Sequence, residues 1–242
     1  PLYSSAASDV YKRQPPLHKI LISKVFTDTV VPEEVLNMEN VEYGGTGFYY
    51  DKAPKLPDDI EHIFPDYHLY DDFVKEQIEK GVKPKDLKEY TDVSIGFTTR
   101  GCIRQCKFCV NQNYKKASIH SRIEEFYDPT RKYICLLDDN IFACKDWKQV
   151  FDELIATGHK FYFKQGMDER LLTDEKCEYL FNKANWYGDY TFAFDNIKDR
   201  EIIEKKLQMI REHTDKQCRF YVFCGFNHNN PCLLYTSDAA DE

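Results

Sequence analysis

The sequence predicts an α/β protein whose parallel strands are joined by helices. From residue 92 onward, short apolar runs alternate with amphipathic stretches, and this pattern builds a parallel sheet with helical crossovers. The apolar runs contain few polar residues, as expected for strands that are covered on both faces. The amphipathic stretches repeat apolar residues at the period of an α-helix.

Residues 15–90 are expected to hold the end of a Rossmann-like domain and a linker. "HKILISKVF" (18–26) predicts a strand, "PEEVLNM" (32–38) a short helix, and "VEYGGTGF" (41–48) a strand that runs into a glycine turn. The Pro- and Asp-rich segment "APKLPDDIEHIFPDYHLYDD" (53–72) predicts a linker that covers one end of the following domain. The boundary between the two domains is expected near residue 90.

Five strands are predicted in the second domain, residues 91–231. They are "DVSIGFT" (92–98), "KYICLLD" (132–138), "KFYFKQ" (160–165), "DYTFAFD" (189–195) and "CRFYVFCGF" (218–226). Cys135 and Cys224 lie inside these runs and are expected to be buried as small apolar groups.

Two helices are predicted between these strands. In "DWKQVFDELIATG" (146–158), Asp146 is the expected N-cap and Gly158 the expected stop. Its apolar face consists of Trp147, Val150, Phe151, Leu154 and Ile155. "DREIIEKKLQMIREH" (199–213) repeats the pattern through Ile202, Ile203, Leu207 and Ile210.

The composition limits the classes of function. The chain carries 41 acidic and 33 basic residues and a formal net charge of −8, which speaks against nonspecific nucleic-acid binding as its main task. No apolar run approaches the ~20 residues that span a membrane. Nine cysteines in a chain rich in Phe and Tyr predict reduced thiols and a cytoplasmic location, because disulfide frameworks belong mostly to small domains with weak cores.

The two ends of the chain are expected to be foreign to the fold. "SSAASDVYKRQ" (4–14) and "CLLYTSDAADE" (232–242) back-translate into one DNA sequence and its reverse complement. This relation resembles a transposon-type sequencing adapter read through at both ends of a fragment. Residues 1–14 and 232–242 are therefore left out of the fold prediction, and 15–231 is expected to be a piece of a longer protein.

Three cysteines stand directly after the first strand of the second domain. "GFTTRGCIRQCKFCVNQ" (96–112) contains Cys102, Cys106 and Cys109. Thiolates on an irregular loop can converge on an iron–sulfur cluster. Because a structural zinc site takes four ligands, the count of three favours a 4Fe-4S cluster with one open iron. A zinc site with a fourth ligand such as His120, and simple packing of the thiols, are the alternatives.

The spacing CxxxCxxC, with Phe108 just before Cys109, resembles the signature of the radical S-adenosylmethionine (radical SAM) superfamily. The resemblance covers residues 90–231 well and 15–90 loosely. It implies a partial TIM barrel, truncated here after about five strands, with the cluster loop after the first strand. It also implies that the open iron binds SAM, that an electron delivered through the cluster breaks a bond of SAM, and that the resulting radical abstracts hydrogen from a substrate.

The resemblance points to SAM-binding residues after the second strand, because parallel α/β barrels place their chemistry at the carboxyl ends of strands. "LLDDNIF" (136–142) offers Asp138, Asp139 and Asn140 as acceptors for the SAM amino group. The alternative is that these residues simply open a turn.

Further candidates follow the third and fourth strands. "KQGMDER" (164–170) offers Gln165, Asp168 and Arg170 for the ribose or the carboxylate of SAM, with a salt bridge at a helix start as the alternative. Asp195 ends the fourth strand and is either a site residue or a helix cap. The basic segment "YKKASIHSR" (114–122) is expected to be a solvated loop.

The resemblance also bears on cofactors and partners. It implies an electron donor of the flavodoxin or ferredoxin type and a substrate that the sequence does not identify. Residues 15–70 resemble the region that precedes the barrel in radical SAM proteins with a cobalamin-binding-type domain. Cobalamin is doubtful as a cofactor, because the signature Asp-x-His-x-x-Gly is not met: Asp71 stands where glycine should follow Asp66 and His68.

Two other functions are open. An RNA methylthiotransferase-like radical SAM enzyme is disfavoured by the acidic charge and by the lack of a visible RNA-binding module. A noncatalytic zinc-binding protein is the alternative outside the enzymes.

Overall fold

The computed structural model describes residues 18–111 and 113–223, except for the side chain of Asp51. Its contacts divide the chain into two compact units, Pro1–Leu56 and Pro57–Glu242. In the described residues, no helix has the length and apolar character needed to cross a membrane.

The first unit contains a parallel strand pair. Its elements are β1 (Ile20–Ser23), α1 (Glu33–Leu36), β2 (Val41–Gly44), α2 (Thr46–Tyr49) and a 3₁₀ turn at Tyr50–Lys52. β1 pairs with β2 in register from Ile20 opposite Val41 to Ser23 opposite Gly44. The turn after β2 needs glycine, because Gly45 has a φ of 101° and a Cβ there would lie 2.4 Å from the Lys24 carbonyl oxygen. Both strands and the glycine turn agree with the sequence prediction, and the Rossmann-like assignment stays a prediction.

The second unit begins with short helices. These are α3 (Asp58–Glu61), α4 (Asp71–Glu79), a 3₁₀ helix at Pro84–Leu87 and α5 (Lys88–Thr91). The sequence predicted only a linker for much of this segment. Its side chains contact the strand region that follows: the Tyr67 hydroxyl donates to the Phe126 carbonyl at 2.6 Å, and Arg131 Nη2 donates to the Tyr67 carbonyl at 2.8 Å.

The strands of the second unit are parallel except for a small ribbon. They are β3 (Val93–Gly96), β4 (Thr99–Arg100), β5 (Ser118–Ile119), β6 (Tyr133–Leu136), β7 (Lys160–Phe163), β8 (Tyr190–Phe194) and β9 (Cys218–Val222). One parallel sheet has the order β3-β6-β7, and β8 pairs with β9 in a second. The antiparallel ribbon joins β4 to β5, so the predicted solvated loop at 114–122 is wrong where it includes β5.

Parallel bridges connect the two sheets. Phe161 bridges to Trp186, and Met167 bridges to Phe192 just beyond the end of β7. Met167 N donates to the Thr191 carbonyl at 2.9 Å, and Ala193 N donates to the Met167 carbonyl at 3.0 Å. The five predicted strands are therefore present, parallel and arranged in chain order, although within the described residues they do not close into a barrel. For the fifth, the predicted residues 224–226 lie outside the described part of the chain.

Helices cover one face of these strands. They are α6 (Trp147–Ala156), α7 (Asp174–Cys177) with a π-helical turn at Glu178–Lys183, and α8 (Arg200–His213). The core they form with the strands includes Ile134, Leu136, Phe151, Leu154, Phe161, Leu180, Phe192 and Ile210. Cys135, Cys144 and Cys177 are buried, as expected for Cys135, while Cys224 lies outside the described residues.

The predicted helices need two corrections. Asp146 stands at the N-cap of α6, but its side chain makes no capping hydrogen bond. Ile202, predicted to face the core from α8, is 40% exposed, whereas Ile203 and Ile210 are buried. The predicted stop of α6 is correct, since Gly158 adopts a φ of 71°.

Candidate functional site

The candidate site lies where the parallel strands of the second unit end. The loop with the three cysteines follows β3, Asp138 to Asn140 follow β6, and Asp168 follows β7. Because carboxyl ends of adjacent parallel strands share one edge, residues far apart in sequence can meet there. The hydrogen bonds between these segments show that they do.

Asp138 anchors the start of the cysteine loop. It is 2% exposed, and its Oδ1 accepts from Thr98 N at 2.9 Å. Its Oδ2 accepts from Thr98 Oγ1 at 2.6 Å, Thr99 N at 2.7 Å and Thr99 Oγ1 at 2.6 Å. Burial raises the pKa of Asp138, against the opposing effect of the threonine donors. Four protein donors occupy this carboxylate, so its place in the structure is that of a loop anchor.

Asp139 joins the two ends of the cysteine loop. Its Oδ2 accepts from Gly101 N at 2.8 Å, and its Oδ1 accepts from Asn111 Nδ2 at 2.5 Å. Gly101 has a φ of 100°, and a Cβ there would lie 2.2 Å from the Lys116 carbonyl oxygen. Only glycine fits this close approach. Because Gly101 and Asn111 both donate to Asp139, the loop that carries the cysteines is tied at both ends to one carboxylate.

The three cysteine thiols influence one another. All three are partly exposed, and Cys109 N donates to the Cys106 carbonyl at 2.9 Å. Burial raises the pKa of Cys106, and the Asp195 carboxylate and the Cys102 and Cys109 thiols raise it further. Burial also raises the pKa of Cys109, although a hydrogen bond from the backbone of Asn111 opposes that effect. Because neighbouring thiolates repel one another, all three thiols ionise together only when a positive charge lies among them.

Nitrogen donors surround two of the sulfurs. Arg104 N and Asn140 Nδ2 each donate to Cys102 Sγ at 3.4 Å, and Asn111 N donates to Cys109 Sγ at 3.4 Å. Hydrogen bonds of this type to thiolate ligands tune iron–sulfur clusters. These donors favour negative charge on the two sulfurs, although burial still raises the pKa of Cys109.

Asp168 is the centre of a buried charged network. It is 4% exposed and accepts from Arg104 Nε and Arg170 Nε, each at 2.6 Å, and from Asn140 Nδ2 at 3.1 Å. Burial opposes ionisation, but the two guanidinium groups outweigh it and hold the pKa of Asp168 below its usual value. Arg170 also pairs with Asp199. The network thus connects the cysteine loop, through Arg104, to the ends of β6 and β7.

The other expected site residues take different positions. Phe108 stacks on Phe223, just past the end of β9, with ring centroids 3.9 Å apart. Gln165 is exposed. His120 Nε2 lies 3.2 Å from Glu61 Oε1 and its Nδ1 lies 2.8 Å from Ser121 Oγ, so both ring nitrogens are engaged away from the cysteines. Hydrogen bonds connect the cysteine loop with Asp138 to Asn140 and with Asp168, which binds Arg170, whereas Gln165 and His120 lie aside.

Several contributors were not predicted from the sequence. The loop is held by Thr98, Thr99, Arg104 and Asn111. The polar residues that flank the cysteines were the available signal for them. Glu169 is 0% exposed, and neither of its carboxylate oxygens has a hydrogen-bond partner among the described residues. Burial raises its pKa to about 7. Nothing in its local sequence distinguishes it from an exposed glutamate at a helix start.

The thiols of the loop could serve a single metal ion or a cluster. The described residues contain no group of three or more His, Cys, Asp or Glu side chains that could hold one metal ion. A tetrahedral zinc ion with bonds of about 2.3 Å would require sulfurs roughly 3.8 Å apart. In an iron–sulfur cluster each thiolate binds a different iron. The three thiols, with N–H donors beside two of the sulfurs, supply the type of ligand that such a cluster takes.

A scan against models of protein families gives no match to this chain, and a search among curated proteins finds no relative. Its function is therefore inferred from the motif and from the geometry of the site.

Proposed function

We propose that the chain carries the core of a radical SAM enzyme, with a 4Fe-4S cluster bound by Cys102, Cys106 and Cys109. The observation that carries this proposal is the cysteine loop, which lies at the carboxyl ends of the strands and is tied at both ends to Asp139. A partial TIM barrel is part of the proposal, and the chain-order arrangement of five parallel strands supports it.

The chain's own residues would prepare the site for an anionic cluster. Three thiolates are one ligand fewer than the irons, which keeps one iron available for SAM. When bound, the cluster would supply the electron that cleaves the bond between the sulfur and C5′ of SAM, and the resulting radical would abstract hydrogen from the substrate. The donors to Cys102 Sγ and Cys109 Sγ would stabilise the sulfur charge, and Asp139 would hold the loop in place.

Among the residues after β6, Asn140 is best suited to the SAM amino group. Its Oδ1 is buried and has no partner in the described part of the chain, whereas Asp138 and Asp139 already accept bonds from the loop. A buried amide oxygen without a partner is costly, and an ammonium donor would satisfy it. Asp168 and Arg170 bind each other, so in this proposal they support the site, and Gln165 stays a candidate for the ribose.

An external electron donor of the flavodoxin or ferredoxin type completes the proposal. The partial exposure of all three cysteines agrees with electron delivery from outside the chain. Cobalamin is not part of the proposed site, and the substrate is left unspecified.

Cluster content and SAM cleavage test the proposal. The anaerobically purified chain should contain about four irons and four sulfides and, with SAM and dithionite, should release 5′-deoxyadenosine. Replacing Cys106→Ala should abolish cluster assembly, because two thiolates cannot hold the cluster.

The matched control is Cys144→Ala, which removes a buried thiol that lies outside the loop, 1% exposed. Its iron and sulfide content should equal that of the unaltered chain. One zinc ion per chain without SAM cleavage would support the zinc-binding alternative, and equal cluster loss in both variants would contradict the assignment of ligands.

A further inference from the structure

Asn140 connects the cysteine loop to the buried charged network. It is 5% exposed and follows β6. Its Nδ2 donates to two acceptors at once, Cys102 Sγ at 3.4 Å and Asp168 Oδ2 at 3.1 Å. One amide nitrogen therefore couples a proposed cluster ligand to a carboxylate.

The charge of Asp168 determines which way the amide points. Arg104 and Arg170 keep Asp168 ionised, so it acts only as an acceptor. With the amide reversed, Asn140 Oδ1 would face both this carboxylate and a sulfur, and no proton would lie between them. The nitrogen must then face Cys102.

This donor differs from the other two that reach the sulfurs. Arg104 and Asn111 donate through backbone N–H groups, which every residue except proline provides. Asn140 donates through its side chain and from a different strand end. Of these three hydrogen bonds to Cys102 Sγ and Cys109 Sγ, it is the one that a change of residue type removes.

We propose that Asn140 raises the reduction potential of the cluster by donating its amide hydrogen to Cys102 Sγ, with Asp168 as the residue that orients the amide. The inference rests on the proposed function. A hydrogen bond to a ligand sulfur withdraws negative charge, and the reduced cluster carries one more negative charge than the oxidised one. Asn140 thus favours the reduced state, and Asp168 is the positioning residue that acts through it.

A redox titration of the cluster-loaded chain without SAM tests the inference. Dithionite supplies the electron, and electron paramagnetic resonance reports the reduced cluster. In Asn140→Leu, which keeps the side-chain shape but loses the N–H group, the ratio of reduced to oxidised cluster at a fixed potential should fall about fivefold, or about 40 mV for one electron. Asn140→Ala should give a fall of similar size.

The control is Asn182→Leu, which removes an exposed amide that donates to Glu178. Its potential should be unchanged. Failure of the unaltered chain to assemble a cluster would refute the proposed function itself. Loaded Asn140 variants with an unchanged potential would overturn this inference alone. If neither variant loads a cluster, Asn140 is needed for assembly rather than for the potential, and the inference fails as well.

Discussion

Asp138 and Asp168 show how neighbours decide the state of a buried carboxylate. Asp138 receives hydrogen bonds from two threonines and carries no cationic partner in the bonds described here, and its pKa is raised. Asp168 is nearly as buried, yet two arginines lower its pKa. Asp138 holds the backbone of the loop through hydrogen bonds, whereas Asp168 pairs with two arginines, although both lie beside the same loop.

Glu169 makes the stability of the chain depend on pH. Its pKa rises from an ordinary 4.5 to about 7 in the folded state, so between these values the folded chain binds more protons than the unfolded chain. Its contribution to the free energy of unfolding is therefore fully present below pH 4.5 and is lost as pH rises through 7, by about 3 kcal/mol. Glu169→Gln should remove this loss, so that the variant is the more stable chain at pH 8 and close to the unaltered chain at pH 5.

Urea unfolding at both pH values measures the effect. Glu153→Gln, at an exposed position of α6, is the matched control and should follow the unaltered chain. Parallel pH profiles for the unaltered chain and Glu169→Gln would contradict the prediction.

At the scale of residues, the sequence suggested the proposed ligands but not the residues that hold their loop. The spacing of Cys102, Cys106 and Cys109 is local and could be read directly, and their role as cluster ligands stays a prediction. Asp138 lies about forty positions from the threonines it binds, and no local pattern reveals such a pairing. For the same reason the sequence suggested a SAM contact for Asp138, while the structure shows it bound to the loop.

At the scale of elements, the exposed edge of β3 is protected by a tyrosine. Ile95 N donates to the Tyr67 hydroxyl at 2.9 Å, and that hydroxyl donates to the Phe126 carbonyl. The Arg131 guanidinium lies 4.2 Å from the centre of the same ring. A side chain from the preceding segment thus satisfies a strand edge that no other strand pairs with in the described sheet.

Tyr67→Phe should weaken this edge. The change leaves the ring in place but removes the hydroxyl, so the Ile95 amide loses its acceptor and the free energy of unfolding should fall by about 1 kcal/mol. Hydrogen exchange should show faster exchange at Ile95, while Tyr70→Phe, at an exposed position, should leave it unchanged. Unaltered exchange at Ile95 in Tyr67→Phe would show that the hydroxyl does not protect the edge.

The predicted elements were right where periodicity was strong. The five strands, as far as they lie in the described residues, and the helices Trp147–Ala156 and Arg200–His213 were predicted from apolar patterns that extend over several residues. The nine-residue helix Asp71–Glu79 was not predicted. The helix Asp58–Glu61 has four residues and the ribbon strands have two each, which is too short for a period to show. Asp146 illustrates another limit: residue type predicted a cap, but the side chain makes no capping bond.

At the scale of the whole molecule, the division between Leu56 and Pro57 shows that the described contacts of the site do not involve the first unit. Every contact described for the site, including those of the linker residues Glu61 and Tyr67, lies within the second unit. The sequence placed the domain boundary near residue 90, because the composition of 53–72 is typical of a linker. The linker was expected to cover one end of the following domain, and Glu61 and Tyr67 do contact that domain.

Removal of residues 1–56 should therefore leave the proposed centre intact. The shortened chain, 57–242, should hold the same iron and sulfide per chain as the full chain, because the cysteine loop and its supports are retained. Metal and sulfide analysis of both chains measures this, with Cys106→Ala in the shortened chain as the negative control. Loss of the cluster on shortening would show that the first unit is required.

Asp139 has a consequence for how the centre is assembled. An untethered loop loses conformational entropy when its thiols bind a metal or cluster, and this loss weakens binding. Here hydrogen bonds from Gly101 N and Asn111 Nδ2 to the Asp139 carboxylate hold the two ends of the loop together. The fold itself therefore orders the loop, so that binding of a cluster by the three thiols would lose less conformational entropy.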